Sequence, residues 1–449
     1  MTRAFGIQLR RSAAPFCLLL LLVLGLTSLF ASPGVWIEGW LFLGTGQRTY
    51  LVFLWPLALA LGAWQMRQEH RAGVDELFAG TAKPRWQRVT VTAAALAVAV
   101  TVAYALTFAV AAGWMAGSAT HLPGAVPAMV AVGALSMVAA VCAGMGVGRL
   151  LPHLVTAPAL AVVGFALQLS LPVIFRDSDW LANLLSPFMT RPWDAYFTLP
   201  ARFNLGQAVW LTGLAGSGLL LLGAATRLSR TAAVLPVVLG LGVAVALAPR
   251  VDNHSTPWVR DLVAAELVCT DDAPRVCVTR VHTELLPEVA PLAREALSKV
   301  KDLPGAPHTA VEDWTLNYRD DRDAPVKAAG PDTLEFTVHV DGRGELSRPR
   351  SFVPMTLEQL VFRDCAEASD ERFAEDAAAA EVIGFWLAGQ ALDPNESFDD
   401  GELKRKRQLW DVLQALPREQ ALQRIAAVRT ASTGCSGSSL AGILEGPAR

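Results

Sequence analysis

The residue types best suited to chemistry in this 449-residue chain are six cysteines and seven histidines, and their spacing decides what they can do. Cys269, Cys277, Cys365 and Cys435 all lie beyond Arg250, and an even number in one segment reads as two disulfides made in an oxidising compartment. Thr-Asp-Asp-Ala-Pro-Arg-Val separates Cys269 from Cys277, a turn-forming insert between apolar, β-prone flanks. That pair suits a bridge across a hairpin, which leaves Cys365 for Cys435. Zinc would need tighter cysteine pairs. Cys17 and Cys142 sit in apolar runs and read as small buried apolar side chains. Histidines 70, 121, 153, 254, 282, 308 and 339 are scattered, without a His-Glu-x-x-His pair. His282 has Glu284 two residues on, which is no metal spacing, so a surface position is expected for it. No GxxxxGK[ST] loop is present to cradle phosphates, and no G-x-S-x-G elbow to expose a serine. Gly144-Met-Gly146-Val-Gly148 lies inside an apolar run, where it suits close helix packing and not nucleotide binding. The chain is therefore expected to be no enzyme, with no metal and no cofactor of its own.

The elements that carry these residues are of two kinds. Overall, 18% of residues are charged and 53% hydrophobic, where a soluble domain typically carries about 25% charged residues. Residues 1–250 hold 16 Lys/Arg and 7 Asp/Glu, a net of +9, whereas residues 251–449 hold 22 and 34, a net of −12. One soluble enzyme domain, a fibrous repeat and a disordered chain are all excluded by that division. The expected fold is an α-helical polytopic membrane domain over 1–250 with about seven transmembrane helices, followed by a small α+β extracytoplasmic domain over 251–449.

The apolar runs are 14–31, 50–66, 89–113, 125–147, 154–174, 207–225 and 232–248, each near the roughly 20 residues that cross a bilayer. None contains Asp, Glu, Lys, Arg or His. Ion-coupled transporters usually place such groups at membrane depth, so any transport here is expected to be driven by another polypeptide. With the N-terminus inside, eleven basic residues fall on the cytoplasmic side and only Arg48, Arg176, Arg191 and Arg202 fall in outer loops. That asymmetry places residues 251–449 outside. The first run follows Arg10 and Arg11 as a signal peptide would, but Leu29 stands where cleavage after Ala31 needs a small residue, so an uncleaved span is expected. Gln168 and Ser170 in the fifth run, with Thr101 and Tyr104 in the third, are candidates for lining a path, although bonding between helices is the commoner use of such groups.

Between the second and third runs stands Arg67-Gln-Glu69-His-Arg71-Ala-Gly73-Val74-Asp75-Glu76-Leu77-Phe78-Ala-Gly80-Thr81-Ala-Lys83-Pro84-Arg85. Val74, Leu77 and Phe78 share one helical face by their i, i+3, i+4 spacing, while Glu69, Asp75 and Glu76 take other faces. Gly80 offers a helix stop and Pro84 prevents continuation. This stretch resembles the cytoplasmic coupling helix of type-2 ATP-binding-cassette (ABC) exporter permeases, which typically reads Glu-x-Arg-x-Gly-Thr-x-Glu-x-Leu. Glu69, Arg71, Gly73, Glu76, Leu77, Thr81 and Arg85 take the equivalent positions, the last two matching the Thr/Ser-Pro and basic residue that usually follow, with Phe78 on the same apolar face as Leu77. Val74 replaces the usual Thr, Leu77 follows Glu76 directly, and Ala82 stands where Pro is common. The resemblance covers about residues 1–230. It implies a separate ATPase subunit that docks on 67–80 and holds ATP and magnesium, a homodimer or heterodimer of permeases in the lipid bilayer of a bacterial cell membrane, and no nucleic-acid partner. It also likens Phe175–Gln207, with Pro187 and Pro192, to the family's re-entrant hairpin between spans five and six. The competing class is a membrane-anchored receptor or assembly factor whose outer domain binds a partner.

Within the outer segment, Val276–Val281 and Leu334–Val340 have strand composition. Glu284–Val300, Leu357–Ala368, Arg372–Ala388, Glu402–Leu413 and Arg418–Val428 carry helical periodicity. Residues 319–331 read as a loop, and 432–449 as a tail tied down at Cys435.

Overall fold

The computed structural model describes residues 13–71, 85–117, 119, 121–248, 257–314, 330, 332–341, 343–362, 370–392, 400–435 and 437–446. The chain divides into two compact units, Met1–Ala264 with Gly342–Gly344, and Ala265–Asp341 with Glu345–Arg449.

The first unit is helical, because long runs of Leu, Ala and Val leave the backbone to satisfy its own hydrogen bonds. Its helices are α1 (Ala14–Ala31), α2 (Trp40–Thr49), α3 (Leu51–Arg71), α4 (Arg85–Met115), α5 (Ala125–Leu150), α6 (Thr156–Ile174), α7 (Asp179–Leu185), α8 (Ala201–Gly223), α9 (Arg227–Ala232) and α10 (Leu235–Leu247). Among the described residues, six helical segments are long and apolar enough to cross a membrane, or seven when α2 and α3 form one span bent by 47°. The protein is a multi-pass membrane protein, and the sequence-derived runs correspond to these segments. The exception is at α2. The expected run began at Tyr50, but the helix extends back to Trp40 across a break, and Leu41 to Arg48 are all buried.

Helix α5 sits at the middle of the unit, packed by α3 and α8 on different sides. Gly144 lets α3 approach so closely that a Cβ there would lie 1.9 Å from the Leu59 carbonyl oxygen, and Gly218 of α8 would place one 2.3 Å from that of Cys142. The glycine cluster is therefore a packing device. Polar side chains in the spans mostly tie helices together. Trp55 Nε1 donates to the Ser136 carbonyl at 3.1 Å, and Gln65 Oε1 accepts the Ala13 amide at 3.2 Å.

After α10 the chain returns to this unit. Strand β1 (Phe197–Thr198) pairs antiparallel with β2 (Val259–Arg260), and the Asp261 amide donates to the Tyr196 carbonyl at 2.7 Å. Trp258 is buried with Leu184, Met189 and Phe203. The first compact unit extends to Ala264.

The second unit is mixed α+β. Strands β3 (Leu267–Cys269), β4 (Val276–Thr279), β5 (Thr309–Glu312) and β6 (Thr333–Phe336) form one sheet in that order. The β3–β4 pair is antiparallel, while β4–β5 and β5–β6 are parallel. Parallel pairing needs a crossover, which α11 (Leu286–Lys299) supplies between β4 and β5. Helices α12 (Phe352–Gln359), α13 (Asp370–Ala388), α14 (Asp400–Ala415), α15 (Arg418–Thr433) and α16 (Leu440–Glu445) follow. Their apolar faces share a core with the sheet that includes Val276, Phe336, Leu357, Ile383, Leu409 and Ile425.

Three details differ from the sequence reading. Helix α12 begins at Phe352 and not Leu357, since Phe352, Val353 and Leu357 together make its buried face and Pro354 is tolerated in a first turn. Strand β5 was not expected, being four residues long, yet its burial alternates as a strand's should. The tail after Cys435 holds α16, because Leu440, Ala441 and Leu444 are buried and the Leu440 amide donates to Asp376 Oδ1 at 2.7 Å.

Candidate functional site

The residue that stands out in the membrane unit is Arg48. The positive-inside count places it in an outer loop; it is instead fully buried near the end of α2. The physical reason is local. Trp40, Leu41, Phe42 and Leu43 are an apolar stretch that buries itself as a helix and takes the following Thr-Gly-Gln-Arg inside with it.

Three bonds hold the guanidinium. Nε and Nη2 donate to the Pro187 carbonyl at 3.0 and 2.9 Å, and Nη1 donates to Gln207 Oε1 at 3.0 Å. All these acceptors are neutral. Of the five N–H donors a guanidinium carries, two have no partner among the described residues, and no described carboxylate pairs with it. An isolated buried charge is costly, which is why an ionisable residue inside a membrane bundle is a functional-site hypothesis by default.

The surroundings are polar and incompletely satisfied. Gln207 of α8 donates through Nε2 to the Asn183 and Ser186 carbonyls, the latter at 3.2 Å. Asn204 lies one turn earlier on the same face of α8, is buried, and has neither side-chain amide atom bonded. Gln47, beside Arg48 in the chain, donates to the Tyr104 carbonyl at 2.7 Å but leaves its Oε1 without a partner, and the buried Tyr104 hydroxyl has none either. Since more than nine in ten buried polar groups are ordinarily paired, such a concentration needs a cause.

The segment that Arg48 grips is the turn after α7. Asn183 Oδ1 accepts the Thr190 amide at 3.3 Å, Thr49 Oγ1 donates to the Met189 carbonyl at 3.1 Å, and Trp210 Nε1 donates to the Leu185 carbonyl at 3.2 Å. Ala182, Asn183, Leu184, Ser186 and Met189 are buried. A short helix and an irregular strand thus lie covered between α6 and α8. At the outer edge of this segment, Arg191 is ion-paired with Glu38 and lies 4.1 Å over the Phe42 ring, with about a third of its side chain exposed.

The other sequence-derived candidates are placed as follows. Gln168 is buried and its amide donates to the Leu51 and Val52 carbonyls at 3.3 and 3.4 Å, joining α6 to the start of α3. Ser170 donates to the Leu167 carbonyl of its own helix at 3.0 Å. Glu69 accepts from Gln65 Nε2 at 3.1 Å, and Arg71 is the exposed last residue of α3. Gly73, Glu76, Leu77 and Phe78 lie outside the described residues. Cys269 and Cys277 are cross-strand partners joined by a disulfide, as the hairpin spacing predicts. Cys435 is disulfide-bonded, while Cys365 lies outside the described residues. Cys17 and Cys142 are free and buried.

Among the described residues of the second unit, the buried Lys406 pairs with Glu381 and Glu402 at 2.6 and 2.7 Å, and a second buried polar cluster surrounds Glu312. His282 is buried, not at the surface, with Nδ1 2.6 Å from Glu312 Oε1. Glu312 Oε2 also accepts the Thr279 amide at 2.7 Å and its hydroxyl at 3.0 Å. The partner is 30 residues away on β5, so nothing near His282 in the sequence announces it. Burial, with His282 and Arg348 nearby, lowers the pKa of His339, so its neutral form is favoured. No group of three or more His, Cys, Asp or Glu suited to a metal occurs among the described residues.

Comparison with protein families, characterised proteins and solved structures returns no match for this chain.

Proposed function

We propose that this protein is the membrane-spanning permease subunit of an ATP-driven ABC exporter, powered by a separate ATPase subunit that docks on residues 67–80. The observation that carries the reading is the covered segment Asp179–Leu199 between α6 and α8. It is a short helix followed by buried irregular backbone, held by Arg48, Thr49 and Gln207. Non-helical backbone at membrane depth is tolerated only under such cover. The resemblance of Phe175–Gln207 to a re-entrant hairpin, and of Glu69–Phe78 to a coupling helix, assigns the two ends of the bundle different tasks. One end receives force from the ATPase, and the other opens or closes the exit. The resemblance further implies that the chain acts as a homodimer or heterodimer of permeases.

The same reading puts the N-terminus in the cytoplasm and the second unit outside a bacterial cell membrane. The Cys269–Cys277 bridge supports that side, since disulfides persist in oxidising compartments. The chain is then not itself an enzyme, and ATP and magnesium are held by the partner. Tagged chain purified from its own membranes should carry vanadate-sensitive ATP hydrolysis, and Glu76→Lys should remove it while leaving insertion intact. Hydrolysis absent from the wild type would overturn the reading and favour a receptor or assembly role.

A further inference from the structure

We propose that Arg48 is the recognition point of an oxyanion site, which takes a net-anionic phosphate group, as on an acidic phospholipid headgroup (not one balanced by its own ammonium) or in free phosphate. The proposal does not rest on the exporter reading. It begins from the imbalance described above: a fully buried guanidinium whose three bonds all go to neutral oxygens, those of Pro187 and Gln207. Charge-assisted bonds to an oxyanion are roughly twice as strong as neutral ones, so a phosphate oxygen competes well for these donors. Arginine is also the side chain whose planar fork fits phosphate with two parallel bonds.

Three further features point to a ligand of this kind. First, the groups around Arg48 include unbonded donors, beside the unbonded acceptors Asn204 Oδ1 and Gln47 Oε1. Asn204 Nδ2 and the Tyr104 hydroxyl are buried and unbonded, and each can donate to an oxyanion. Second, the centre lies at a discontinuity, between the bent α2–α3 pair and the short α7. Irregular backbone within a membrane bundle is tolerated where protein covers it or where it lines a cavity. Third, a second cation lies toward the exposed edge of the same segment. Arg191 stands four residues beyond Pro187 on the same segment, partly exposed and paired with Glu38.

The test uses the full chain, purified in a non-ionic detergent at low salt. It is titrated separately with phosphatidylglycerol, with phosphatidylcholine and with inorganic phosphate, and binding is read by native mass spectrometry and by the thermal midpoint. Saturable binding of phosphatidylglycerol at least tenfold tighter than phosphatidylcholine, without inorganic phosphate binding, assigns a lipid headgroup. Binding of inorganic phosphate as well assigns a free oxyanion. A wild-type chain that distinguishes none of the three overturns the proposal. Two variants localise the effect. Arg48→Gln should lose the preference, and Arg48→Lys should keep part of it. Because Arg48→Gln also loosens the grip on Pro187, Gln207→Glu provides the second variant. It sets a carboxylate at the oxygen that already receives Nη1, so the oxyanion preference should fall at least tenfold. An unchanged preference in either folded variant places the anion elsewhere and removes Arg48 from the site.

Discussion

The close approach of α3 and α5 gives a prediction whose size follows from the geometry. At Gly144 a methyl group would stand 1.9 Å from the Leu59 carbonyl oxygen, where ordinary contact begins at 3.4 Å. The obstruction is backbone, which cannot rotate away, so Gly144→Ala must push the helices apart by about 1.5 Å to reach that ordinary contact. The same seam contains Gly62, with the Val141 carbonyl 2.3 Å from its would-be Cβ, and Gly148, with Ala63 Cα at 2.6 Å. Separation at Gly144 therefore opens the whole seam. A radial gap of about 0.5–1 Å already forfeits a quarter to a half of each dispersion contact. Overpacking of this kind costs about 1–3 kcal/mol and occasionally more, and we place Gly144→Ala near the upper figure, about 3 kcal/mol. Alanine's better helix propensity returns up to about 1 kcal/mol of that. Gly223 is the control, since nothing lies within 4 Å of a Cβ built there, so Gly223→Ala should be neutral or slightly stabilising. Both variants, purified in detergent, are unfolded with sodium dodecyl sulfate and followed by circular dichroism. A clear loss of stability in Gly144→Ala, beside an unchanged Gly223→Ala, supports the packing. Equal transitions for the two would refute the close approach.

Further outcomes follow from other parts of the molecule. Glu312→Ala should destabilise the second unit by about 1–3 kcal/mol, because it removes the acceptor that bonds the Thr279 amide and hydroxyl and faces His282; a thermal transition within about 0.5 kcal/mol of wild type would contradict that burial. Non-reducing peptide mapping should recover Cys269 with Cys277 and Cys365 with Cys435. Removing the longer bridge should cost on the order of 4 kcal/mol in the chain-entropy model, and free thiols at these positions in the mature protein would refute the pairing. Protease added to intact spheroplasts should release a fragment of residues 251–449, whereas protection until lysis would reverse the topology.

The spans were legible in the sequence because the bilayer imposes length and hydropathy one segment at a time. Hairpin residues Cys269 and Cys277 were legible for a similar reason, as their relation is local. Arg48 was not. A basic residue between two apolar runs satisfies the positive-inside count equally well in a loop or in a buried broken helix, and its partners Pro187 and Gln207 lie 139 and 159 residues away. His282 failed in the same manner, since burial depended on Glu312 across a parallel strand pair. Helix α12 was displaced because its apolar positions serve a core whose other members are distant in sequence. Residues with chemistry set by long-range partners are therefore the ones that periodicity and charge counting miss.

The central claim is that force reaches this bundle from an ATPase docked on residues 67–80. A photo-crosslinking amino acid placed at Leu77 in living cells measures that contact most directly. The account predicts a crosslinked product containing a polypeptide with a GxxxxGK[ST] phosphate loop, lost when Glu76→Lys is added. Crosslinks confined to lipid or to extracytoplasmic proteins would contradict it.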